Sequence, residues 1–97
     1  MPAFIATIRF TDQGLASVKD TTKRAAAFKS AAKKLGVKVQ EVYWTLGPFD
    51  GVLIFDAPDD ATATAAMLQL SAPGNVHTQT ARAYKASEMD EILAKLK

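Results

Sequence analysis

No cysteine occurs among the 97 residues. That excludes a disulfide framework, thiolate catalysis and thiolate metal sites together. Histidine is nearly missing as well: His77 stands alone, so no paired-histidine metal centre can be assembled within one chain. Glycine-rich phosphate loops and a Ser/His/Asp set in a recognisable motif are also absent, and neither a cofactor nor a metal is expected. No apolar run approaches the ~18 residues that a membrane span requires. Met1-Pro2-Ala3-Phe4-Ile5 has neither the basic start nor the apolar core of a signal peptide. The expected compartment is the cytoplasm, without membrane contact.

What is present has the balance of a globular protein: 48% apolar and 23% charged residues, with no linker, repeat or low-complexity tract to divide them. The expectation is a single domain over residues 1–97. A chain of this size buries roughly 60–65% of the surface its unfolded state exposes, which leaves a thin margin that self-pairing would widen. The net charge is only +2, yet Lys19 to Lys38 is basic throughout, with Asp20 its one acid.

Periodicity explains that basic tract. A first strand, Ala3 to Phe10, puts Phe4, Ala6, Ile8 and Phe10 on one face and Ile5, Thr7 and Arg9 on the other. Thr11-Asp12 caps a short helical turn. A main helix from about Thr22 to Leu35 ends at Gly36, with Phe28, Ala31, Ala32 and Leu35 in one stripe and Lys23, Lys29, Lys33 and Lys34 opposite. The basic tract is thus largely the solvated back of a helix, and Arg24, four residues before Phe28, is the exception.

A second strand, Val37 to Leu46, alternates Val39, Glu41, Tyr43 and Thr45 against Gln40, Val42, Trp44 and Leu46. Gly47-Pro48-Phe49-Asp50 has the chemistry of a turn. The third strand, Gly51 to Phe55, is apolar on both faces, so neither face of the sheet is expected to lie in water. Asp59 or Asp60 opens a second helix that buries Ala63, Ala66, Met67 and Leu70, and Pro73-Gly74-Asn75 breaks it. A last strand, Val76 to Tyr84, leads to a final helix with Ser87 as expected cap, Asp90 at capping-box spacing, and Met89, Ile92, Leu93 and Leu96 as its packing residues.

The order β-α-β-β-α-β with a C-terminal helix predicts an α+β, ferredoxin-like domain: a four-stranded antiparallel sheet with both main helices on one face. A short last helix cannot cover the other face. A second copy can, which makes the chain itself the expected partner.

In that topology one end of the sheet gathers Arg9, Asp12, Arg24, Tyr43, Trp44, Thr45, Asp50, Asn75 and His77. Arg9, Arg24, Tyr43, Trp44, Asn75 and His77 are the candidate ligand-binding residues. His77 and Asp50 are the candidate acid or base groups. Each has a plainer reading. Arg9 pairs with Glu41 or Asp12, Arg24 lays its stem along the core, and Asp50 holds its own turn. His77 bonds at a surface, and one of Tyr43 and Trp44 belongs to the helix-side core. RNA-recognition domains share the topology, but their third strand carries two aromatics among glycines, whereas Gly51-Val52-Leu53-Ile54-Phe55 carries one. Nucleic acid is not an expected partner.

Arg9-Phe10-Thr11-Asp12-Gln13-Gly14, Lys23-Arg24, Lys33-Lys34-Leu35-Gly36, Tyr43-Trp44-Thr45-Leu46-Gly47, Ala57-Pro58-Asp59-Asp60 and Gly74-Asn75-Val76-His77-Thr78 together resemble the GYD-domain family of small bacterial and archaeal proteins. At the stretch matching the naming tripeptide this chain reads Gly47-Pro48-Phe49-Asp50, so the tyrosine hydroxyl is absent. The resemblance implies a dimeric α/β barrel and no established activity. The functional expectation is a dimer holding a small anionic or aromatic molecule between sheet and partner. The alternatives are an assembly module without ligand and a cofactor-independent enzyme of the monooxygenase or isomerase kind, whose support is analogy of fold alone.

Overall fold

The computed structural model describes residues 1–96. Strand β1 (Ala3–Phe10) is followed by a short helix α1 (Asp12–Ala16), a 3-10 turn (Val18–Asp20) and the long helix α2 (Thr21–Lys34). Strands β2 (Lys38–Trp44) and β3 (Gly51–Asp56), helix α3 (Asp60–Ser71), strand β4 (Val76–Ala83) and helix α4 (Ala86–Leu93) complete the chain. The sheet order is β2-β3-β1-β4, antiparallel throughout. This is the ferredoxin-like α+β arrangement expected from the sequence.

Local chemistry sets the boundaries. The Thr11 hydroxyl accepts from the Gly14 N–H at the start of α1. Gly36, at φ 84°, ends the run of α2 in a left-handed conformation that suits glycine. Asp59 caps α3 by accepting the Thr62 N–H at 2.7 Å. The Thr62 hydroxyl and then that bond hold the Asp59 carboxyl below its ordinary pKa.

The core lies between the sheet and α2 and α3. Phe4 stacks on Phe55 with ring centroids 5.4 Å apart, and Ala6, Leu53, Phe28, Ala32, Ala63, Ala66 and Met67 close around them. Two expectations change. A β-bulge between Val39 and Glu41 inserts Gln40, whose side-chain amide donates to Asp56 at 2.6 Å. The extra residue re-phases β2, so that Val39 and Val42 both join the helix-side core, where strict alternation had separated them. Helix α4 begins at Ala86 with Lys85 as its cap rather than Ser87, and Glu88, not Asp90, accepts the Lys85 N–H, at 3.2 Å.

Arg82 fastens α4 to the sheet. Its guanidinium lies 4.5 Å from the Tyr84 ring centroid, pairs with Glu88 at 3.1 Å, and donates to the carbonyls of Ala3 and Ala83. The Lys85 N–H and then Arg82 hold the Glu88 carboxyl below its ordinary pKa. Nothing in α4 is buried, and Met89 and Leu93 are exposed. The radius of gyration, 14.6 Å, exceeds the ~12.5 Å usual for a chain of this length, in keeping with a last helix that lies outside the core. No helix among the described residues is long and apolar enough to cross a membrane.

Candidate functional site

Strand register divides the expected cluster between two faces of the sheet. Arg9 lies opposite His77 across β1 and β4, and Tyr43 lies opposite Val52, which in turn faces Thr7. These positions belong to the face without helices, where Arg9, Tyr43 and His77 are all exposed. Arg9 forms no ion pair with Glu41 or Asp12. The one salt bridge among the described residues joins Arg82 to Glu88.

Arg24, Trp44, Asp50 and Asn75 gather on the other face, around a cavity of about 400 Å³ between the sheet and the ends of α2 and α3. Its walls are Ile8, Phe10, Phe28, Val42, Leu70 and Val76, with Ala25 and Ala31 of α2 facing them. Tyr43 borders it along the strand backbone, since its register puts its ring on the far face. The space exists because α2 carries alanine where a packed helix would carry larger side chains.

Each polar group at the rim is tied to a different element. Arg24 donates to the Ser17 carbonyl at 2.8 Å, the Ser17 hydroxyl at 3.1 Å and the Gly14 carbonyl at 3.3 Å, placing a cation at the C-terminal end of α1. The Trp44 indole N–H donates to the Thr21 hydroxyl at 3.0 Å, joining β2 to the first turn of α2. The Asp50 carboxylate accepts the Phe10 N–H at 2.8 Å and so extends the β1–β3 ladder beyond the last residue pair. The carboxylate thus secures the neighbouring strand rather than its own turn, which the main chain closes, the Asp50 carbonyl accepting the Thr45 N–H at 2.9 Å.

Asn75 closes the far end. Its carbonyl accepts the Thr11 N–H at 3.0 Å, and its side-chain oxygen accepts from Gln13 at 3.0 Å. Gly14 sits so close that a Cβ there would fall 2.0 Å from the Asn75 carbonyl oxygen. Gln13 and Gly14 were not expected as partners of the Pro73-Gly74-Asn75 turn, because the contact spans about sixty residues and neither side is periodic.

The two titratable candidates are therefore apart: Asp50 lines the helix-side cavity, and His77 stands in register with Arg9 on the open face. Among the described residues no group of three or more His, Cys, Asp or Glu side chains is placed to hold a metal ion. Arg82, which organises the opposite end of the molecule, was not singled out beforehand. Its place on the aromatic-bearing face of β4 was the available signal.

Comparison with known proteins adds four findings. The profile described as GYD domain matches residues 4–93. A Thermus thermophilus protein named glutamine synthetase and cystathionine beta-lyase binding protein is 35% identical over 98 residues, covering all of both chains. Among solved structures, TTHA0845 from the same organism superposes with a TM-score of 0.57 at 25% identity, over 89% of this chain and 96% of that one. MtbAldR gives a TM-score of 0.62 at 11% identity, over 87% of this chain and 53% of that one, which is a likeness of fold.

Proposed function

We propose that this chain, which belongs to the GYD domain family, works as a self-pairing module that docks on enzymes acting on amino acids. The observation that carries the self-pairing is the sheet face without helices. Ile5 is 40% exposed and Tyr43 54%, with Val52 and Ile54 beside them only half-buried. No layer among the described residues covers them, and a second copy of the same face supplies an apolar surface of matching shape. The product is a dimeric α/β barrel.

Docking on enzymes is supported by the full-length relative named for binding glutamine synthetase and cystathionine beta-lyase. It is also supported by the spent state of the polar groups, since Arg24, Asp50, Asn75 and Trp44 hold the fold together. The exposed apolar residues of α4, Met89 and Leu93, offer the docking surface. Ile54→Lys should convert a dimer to a monomer in analytical ultracentrifugation. Leu93→Asp should abolish binding to purified glutamine synthetase, measured by interferometry, while leaving the dimer intact. A wild-type monomer that binds neither enzyme would overturn the proposal.

A second reading keeps a small molecule between sheet and partner. It is favoured by the adjacent, exposed Arg9 and His77, which would meet an anionic group at the seam. Native mass spectrometry of the freshly purified protein would reveal a retained ligand as added mass, and Arg9→Ala should release it.

A further inference from the structure

We propose that the helix-side cavity is a binding site for a small neutral molecule with an apolar, ring-sized body. This site is separate from the pairing face and does not depend on how that face is used. Its volume of about 400 Å³ falls within the ~300–1,000 Å³ usual for small-molecule pockets.

The cavity is framed rather than collapsed. Hydrogen bonds at Arg24, Trp44, Asp50 and Asn75 tie α2 to the end of α1 and to β2, the turn before β3 to β1, and the turn before β4 to the start of α1, so the walls stand apart at fixed places. The walls themselves are apolar side chains with no partner atoms on the cavity side. Those are the contacts that an apolar guest restores.

The rim chooses the charge. Arg24 and Asp50 bring one cation and one anion to the same opening, so a guest of either sign gains one attraction and meets one repulsion. Arg24 already donates three hydrogen bonds to Ser17 and Gly14 and the Asp50 carboxylate already accepts the Phe10 N–H, which reduces what the rim returns for the desolvation of a charged group. A neutral body avoids both costs.

Trp44 is the one tryptophan of the chain and lines the cavity, so its indole N–H resonance reports on this site alone. Titration of the ¹⁵N-labelled full chain with 4-nitrotoluene should move that resonance saturably, and 4-nitrobenzoate should bind at least ~10-fold more weakly. Ala31→Phe, which fills the cavity from α2, should abolish the shift. Ala25→Leu serves the same purpose if that variant does not fold. Lys34→Ala, on the solvated back of α2, should leave the affinity unchanged. The proposal is overturned if 4-nitrotoluene gives no saturable shift up to its solubility, if the anion binds as tightly, or if binding survives both filled variants.

Discussion

On one side of the sheet Phe4, Leu53 and Phe55 disappear under two helices, while on the other Ile5, Ile54 and Tyr43 meet solvent. Strands β1 and β3 feed both sets at alternate positions, and β2 adds Tyr43 to the second. A strand that is apolar on alternate positions declares one core; β3 is apolar on every position from Val52 to Phe55 and declares two. The first of those cores is complete within the chain at one end of the sheet and stops short at the other, where the cavity opens. The second has no cover at all. The polar residues follow the same division, with Arg24, Asp50 and Asn75 consumed by the fold and Arg9 and His77 left on the uncovered side.

Substituting neighbours on β3 gives the sharpest test of that division. Leu53, 1% exposed, should lose about 2–5 kcal/mol as Leu53→Ala at every protein concentration. On the proposed pairing, Ile54→Ala should cost little in dilute urea titrations and more as concentration rises. Equal, concentration-independent losses at both positions would erase the distinction between the faces.

A smaller effect is expected at the rim of the helix side. Gly14→Ala places a methyl group against the Asn75 carbonyl and should cost about 1–3 kcal/mol. Faster hydrogen exchange should appear first at the Thr11 amide, which donates to that carbonyl. If the added methyl group leaves that amide protected, the clasp between α1 and the turn is not part of the frame.

The least change is expected from pH at Asp59, far from either face. Its folded pKa is lowered by the Thr62 bonds, so its contribution is present above the unfolded aspartate value and is lost as pH falls through the lowered folded value. Wild type should melt above Asp59→Asn near neutral pH, and the gap should close below about pH 4. A gap that persists in acid would mean the charge is not what the cap supplies.

Much of this was readable in advance, and the failures share a cause. Strand β1 and helices α2 and α3 follow from period and caps, since their residues repeat the same demand many times over. The phase of β2 did not follow, because one inserted residue, Gln40, reverses every later side chain and leaves no trace in composition. The gathering of polar residues at one end of the sheet was also correct as far as it went. Topology brings segments to an end, but only register decides which face each side chain takes, and that separated His77 from Asp50. The cap of α4 failed more locally, where Lys85 used its backbone and Glu88 rather than the better-ranked Ser87.

The position of β1 has a consequence in time rather than in space. It is made before the other three strands of its sheet, yet it lies in the middle, and its neighbours are the third and the last. Phe4 pairs with both Phe55 and Arg82. While the chain is being synthesised, an apolar strand must therefore wait with both edges bare until nearly everything after it exists. Folding is gated by long loop closures rather than by local helix formation. Half of this protein is not half as stable: a chain that stops before Val76 keeps a bare apolar edge at its centre, open to whatever strand arrives first.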